Sequence, residues 1–191
     1  MRFKQMRQIC IILARSCRIT LMCILLCIRA FTLNASASEK IPVFVSILPQ
    51  KYFVQKIGGR FTSISVMVQP GASPATYEPK PKQMVMLSKC KLYFAVGVPF
   101  EASWLPKIAA TNPNMRIVHT DRNIKKRHMA AAHGGDGHQK SHADIKDPHI
   151  WLSPPLVKIQ AETILNALVA ENPENSHLFK KNYDRFIESI D

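Results

Sequence analysis

Ile41-Pro42-Val43-Phe44-Val45-Ser46-Ile47, then Gln50-Lys51-Tyr52-Phe53-Val54-Gln55-Lys56-Ile57-Gly58-Gly59, then Thr62-Ser63-Ile64-Ser65-Val66-Met67-Val68: these three segments decide the fold class. The first is an apolar run rich in β-branched residues and reads as a buried strand. The second is a short helix over 50–57, stopped by its glycine pair. The third sets Ile64, Val66 and Val68 on one face and Ser63, Ser65 and Met67 on the other, the period of a strand. Gln69-Pro70-Gly71 ends it. Further along, Pro81 sits where a first helical turn tolerates proline, and residues 83–88 make a short helix. A third strand over 92–96, a helix over 104–110 and a fourth strand over 116–119 continue the alternation. Apolar strands separated by helices predict an α/β fold, a four-stranded, mainly parallel sheet flanked by helices. Ligands of such sheets collect at the carboxyl ends of the strands. The loops 69–79, 97–103 and 120–147 are therefore candidate site loops.

The N-terminal stretch has another character. Residues 1–37 hold Arg2, Lys4, Arg7, Arg15, Arg18 and Arg29 and no acid, with a largely apolar run over 19–33 and an Ala35-Ser36-Ala37 end. A basic start, an apolar middle and small residues at the end describe a secretory signal peptide, with cleavage expected after Ala37. The apolar run is shorter than the roughly 20 residues a spanning helix needs. The mature protein is thus expected in the periplasm. Cys10, Cys17, Cys23 and Cys27 all lie in the segment to be removed, so Cys90 alone remains and no intramolecular disulfide can form. Leu26 before Cys27 argues against lipidation. The formal charge of +13 falls to +7 once the six basic residues of 1–37 are gone. The remaining charges are scattered and carry no nucleic-acid-binding motif, so no nucleic-acid partner is expected.

Residues 121–147 contain His128, His133, His138 and His142 among glycines and polar residues, without the periodicity needed for packing. They read as an exposed loop, and their imidazoles suit loose zinc binding. Ser153 and Pro154-Pro155 then open a helix with an apolar stripe, broken by Asn172-Pro173. The pattern resumes over 176–191 with Leu178, Phe179, Tyr183, Phe186, Ile187 and Ile190. The chain stops inside that pattern, which suggests a truncated product whose last helix has no partner for its apolar face and which tends to aggregate.

The sharpest local signal is Asp147-Pro148-His149-Ile150-Trp151-Leu152-Ser153-Pro154. A histidine after a rigid proline and before a helix can present a ring nitrogen to a cation while Asp147 orients the ring. The second is Pro70-Gly71-Ala72-Ser73-Pro74-Ala75-Thr76-Tyr77-Glu78-Pro79, after the second strand. With Ser46-Ile47-Leu48-Pro49-Gln50-Lys51-Tyr52, Gly58-Gly59, Val96-Gly97 and the histidine-rich loop, these segments resemble the metal-specific solute-binding proteins of zinc and manganese ABC importers, from about residue 41 to 191. The resemblance implies two α/β lobes joined by one long helix, with the metal between them and two ligands from each lobe. It divides the chain into a signal peptide (1–37), a first metal-binding lobe (38–150) and a helical segment that begins the interlobe linker (151–191), with the second lobe missing. His149 is the first-lobe ligand it assigns. The other is usually a histidine at the position of Ala75, which cannot coordinate, so Glu78 and His119 are the candidate substitutes. Zinc is the implied cargo, with manganese the alternative. The implied partner is an inner-membrane permease, and the binding protein is expected to be a monomer.

Two other functions compete with this reading. A hydrolytic metalloenzyme needs a general base beside an open metal position, and no His-Glu-x-x-His or paired-carboxylate motif is present. No enzymatic activity is expected. A surface-exposed, adhesin-like metal-binding protein is the alternative to an importer component.

Overall fold

The computed structural model describes residues 39–129 and 146–191. The expected export signal and His133, His138 and His142 lie outside the described residues. Among the described residues, four strands and five α-helices follow one another: β1 (Ile41–Val45), α1 (Leu48–Gly58), β2 (Thr62–Val66), α2 (Pro81–Leu87), β3 (Leu92–Ala95), α3 (Pro99–Thr111), β4 (Arg116–His119), α4 (Pro154–Glu171) and α5 (Ser176–Glu188). The strands form one sheet in the order β2-β1-β3-β4. All three pairings are parallel, as the alternation of strands and helices predicts.

Period-two alternation sorts the sheet's side chains into two cores. Val43, Val45, Leu92 and Phe94 face α1, α4 and α5, where Phe53, Val54, Ile57, Ile164, Leu168 and Phe179 meet them. Phe44, Tyr93 and Ala95 face the opposite side, where Leu87 of α2 and Phe100 and Ile108 of α3 close over them. Both faces of the central strands are thus covered, which is why those strands are apolar without interruption.

The structure departs from the sequence-based expectations at three places. Strand β2 ends at Val66, and Met67 and Val68 both turn into the second core rather than to opposite faces. Helix α3 begins at Pro99, five residues before Trp104, and runs through Pro106. Pro99 occupies the first turn, where its missing N–H costs nothing. The largest correction concerns α5. Its apolar face is not without a partner: Phe179 and Phe186 are buried, Phe179 edge-on to Phe61 at 5.8 Å and Phe186 against Phe53 at 5.7 Å. Asn182 adds a hydrogen bond from its amide to the Ile57 carbonyl at 3.1 Å. Residues 151–191 therefore complete the core of the same packed unit as the sheet, Glu39–Asp191. The expected aggregation through a bare helix face loses its physical basis.

Candidate metal centre

The carboxyl ends of the strands carry a buried polar network. The Ser46 N–H donates to the Gln50 side-chain oxygen at 3.1 Å, and the Gln50 amide donates to Thr120 Oγ1 at 3.1 Å. Thr120 in turn donates to the Ala95 carbonyl at 2.8 Å, and Ser46 Oγ shares a 2.9 Å hydrogen bond with the Tyr93 hydroxyl. Loops after β1, β3 and β4 are thereby fixed to one another by satisfied buried groups. Glu101, in the first turn of α3, accepts the Val96 N–H at 3.0 Å and the Gly97 N–H at 2.7 Å. Burial pushes its carboxyl above the usual range, against hydrogen bonds from Ser46 and from these two amides that pull it down.

Gly97 has φ +79, a conformation that favours glycine, and a Cβ there would displace the Lys126–Asp121 pair, meeting Lys126 Nζ at 1.9 Å. The Lys126 ammonium sits over this glycine, bonded to the carbonyls of Val96 and Gly97 and, at 2.6 Å, to Asp121. One residue further, the Arg127 carbonyl accepts the Asp147 N–H at 2.7 Å, and His128 pairs with Lys146 in an antiparallel bridge. The two roots of the histidine-rich segment are therefore zipped together, and the outgoing root leads directly into Asp147-Pro148-His149.

His149 is 51% exposed and Asp147 42%. One carboxylate oxygen of Asp147 accepts both the His149 backbone N–H at 3.0 Å and Nδ1 of the ring at 2.6 Å. Those two hydrogen bonds hold the Asp147 carboxyl below the ordinary range, so it is ionised and can only accept. Nδ1 must then carry a proton, so that in the neutral imidazole, the form a metal requires, Nε2 is the lone-pair donor. Trp151 stacks obliquely on the ring at 5.1 Å and is itself packed between the two cores. The imidazole is thus fixed on one edge by a charge and on one face by an indole.

The other sequence candidates are placed differently. Ala75 is exposed on the loop after β2, which is anchored by buried Tyr77 and by the hydrogen bond from the Phe100 N–H to the Pro74 carbonyl at 3.2 Å. Glu78 is exposed on the same loop. His119 ends β4 with Nδ1 3.9 Å from Asp121, and it lines a groove of about 380 Å³ between β4 and α4 together with Arg116 and Arg122. Two guanidiniums make that groove a poor place for a dication. His128 is exposed at the loop root. Cys90 is buried and its thiol is pushed up to about 11 by burial, which keeps it protonated and out of metal chemistry. Among the described residues, no group of three or more His, Cys, Asp or Glu side chains is placed to hold a metal ion. The structure brings together Asp147 with His149, and Asp121 with His119, but does not assemble the candidates into one ligand set.

The described residues thus form a parallel α/β lobe that carries one exposed imidazole oriented by a carboxylate. The chain belongs to the zinc-uptake complex component A periplasmic family (ZnuA), which it matches over residues 43–191. A crystal structure of ZnuA superposes with a TM-score of 0.71 and 38% identity, covering 80% of this chain and 55% of that one. The zinc-binding lipoprotein AdcA of Streptococcus pneumoniae is 24% identical over 97% of this chain and 36% of its own length. The manganese-binding lipoprotein MntA of Halalkalibacterium halodurans is 23% identical over 72% of this chain and 42% of its own. The chain spans about half the length of the curated relatives it matches.

Proposed function

We propose that this chain forms the first, metal-capturing lobe of the extracytoplasmic binding component of a zinc ABC importer, with His149 as the primary ligand for the zinc it carries as cargo. The carrying observation is the Asp147–His149 hydrogen bond at Nδ1, which reserves Nε2 of the neutral ring, on a half-exposed side chain, for a metal. Glu78 is the better second donor from this lobe, because His119 sits beside two arginines. Zinc takes four N, O or S donors, so tight binding needs ligands from a second lobe as in the two-lobed family architecture. His128, His133, His138 and His142 act as an auxiliary, weaker zinc-collecting segment. Imidazole donors favour zinc over manganese, which prefers oxygen. Residues 151–191 complete the core of this lobe and lead towards the second. The partner is an inner-membrane permease, the binding protein works as a monomer, and its role is capture and release without catalysis.

Two measurements test this. Deleting the encoding gene should impair growth in zinc-chelated medium, with rescue by added zinc and not by manganese. Unchanged growth and zinc uptake would overturn the proposal. Export with removal of residues 1–37 should yield a periplasmic protein beginning at Ser38, and a periplasmic form still carrying Met1 would refute the cleavage.

A further inference from the structure

The α2–α3 layer carries a surface feature that metal capture does not use. Lys82, Val85, Met86 and Lys89 follow the i, i+3, i+4, i+7 spacing that puts residues on one face of a helix, and α2 with the turn after it continues that geometry. All four are exposed, Val85 at 66% and Met86 at 42%. Two apolar side chains are thus bracketed by two ammonium groups. Lys80 and Lys91, which flank α2 and the turn after it, and Lys107 of α3 are exposed as well. Between Glu78 and Asp121 the sequence holds one acid, Glu101, and that acid is buried beneath Val96 and Gly97. Among the described residues none of these five lysines forms an ion pair with a carboxylate. From residue 79 to 120 the chain is therefore cationic with no exposed acid, and the middle of the α2 face is apolar.

We propose that the α2 face, Lys82-Val85-Met86-Lys89, docks on an anionic lipid surface. Three features favour lipid over an acidic protein. The cations are all lysines, compact point charges suited to a diffuse anionic surface, whereas a carboxylate partner is matched by the planar fork of arginine. The exposed valine and methionine have no function in a purely electrostatic contact but can enter the headgroup boundary, as on interfacial amphipathic helices. The lysine stems can lie along the apolar pair while their ammonium groups reach phosphate. The consequence for an importer component is retention near the bilayer that holds its permease. This inference stands on the surface of α2 and is independent of the assignment of His149.

The test is co-sedimentation of the exported chain with vesicles of phosphatidylglycerol and phosphatidylcholine, against vesicles of phosphatidylcholine alone. Binding is expected only to the anionic vesicles and is expected to vanish in high salt, as screening shortens the reach of the charges. Lys82→Glu with Lys89→Glu should weaken it at least roughly thirty-fold, the loss of two lysine contributions. Val85→Ser with Met86→Ser should weaken it several-fold while keeping the salt dependence. Lys180→Glu with Lys181→Glu, exposed positions on α5 that change the net charge equally, should leave it intact. Equal losses in both charge-reversed variants would reduce the effect to net charge and overturn the proposal. So would absence of vesicle binding, including the case where the α2 face instead retains the permease in detergent.

Discussion

His149→Ala, in this chain joined to a second lobe taken from a two-lobed relative, lowers zinc affinity on the order of 100- to 1,000-fold. The magnitude comes from dividing the apparent free energy of a four-ligand zinc site, about 10–16 kcal/mol, among its donors. The chain without that second lobe should bind zinc far more weakly, because His149 offers one fixed donor and the described residues assemble no three-ligand group. Asp147→Asn should lose less, about ten-fold, since the asparagine oxygen can still accept from the ring and backbone but without a charge. The pH dependence separates the two roles. The Asp147 carboxyl lies below its ordinary value, so its contribution is complete above that value and is lost only as pH falls through the lowered one. Zinc loss setting in near neutrality must then come from protons competing for the imidazole donors. Isothermal calorimetry across pH reads both effects. Unchanged affinity in the His149→Ala chimera would remove this residue from the site.

Phe179→Ala is the substitution expected to cost most stability, about 3–5 kcal/mol, the range for emptying a buried aromatic site. Phe179 is fully buried where α5 meets α1 and α4, and the ring of Phe61 stands edge-on to it. A loss of that size is a large share of the roughly 5–15 kcal/mol that holds a domain together. Leu152→Ser, at a side chain 73% exposed, should stay within about 0.5 kcal/mol. Urea unfolding of the chain measures both. If Phe179→Ala unfolds at the same urea concentration as the parent, α5 is not part of the core and its docking against α1 is wrong.

How the molecule divides between sequence and tertiary structure follows from the reach of each interaction. The strand–helix alternation, the parallel sheet and the helix stop at Gly58-Gly59 were legible because each depends on residues a few positions apart. Gly59, with φ +54, closes α1 in a conformation that other residues seldom adopt. The Asp147-Pro148-His149 segment was legible for the same reason: its orienting carboxylate is two residues from the ring it holds. The early start of α3 was hidden because Gly97 and Pro99 look like loop residues, and only the Glu101 side chain folding back on Val96 and Gly97 shows a helical first turn. An acid three residues after Val98, with a proline at the first helical position, was the available signal for it.

The remainder was decided by packing alone. Gln50 meets Thr120 across 70 residues of chain, and Ser46 meets Tyr93 across 47, so no local pattern marks them as the buried frame beneath the site. The periodicity of residues 176–191 announced an apolar face but could not say that α1 and α4 cover it, because a helix carries the same pattern whichever surface it buries against. His119 was a reasonable donor in the sequence, and the fold sets it with Arg116 and Arg122 along a groove against α4. Sequence by itself determined the class of fold and the single oriented imidazole. Tertiary structure decided which other side chains share its surroundings, since that depends on distances between elements that no spacing along the chain encodes.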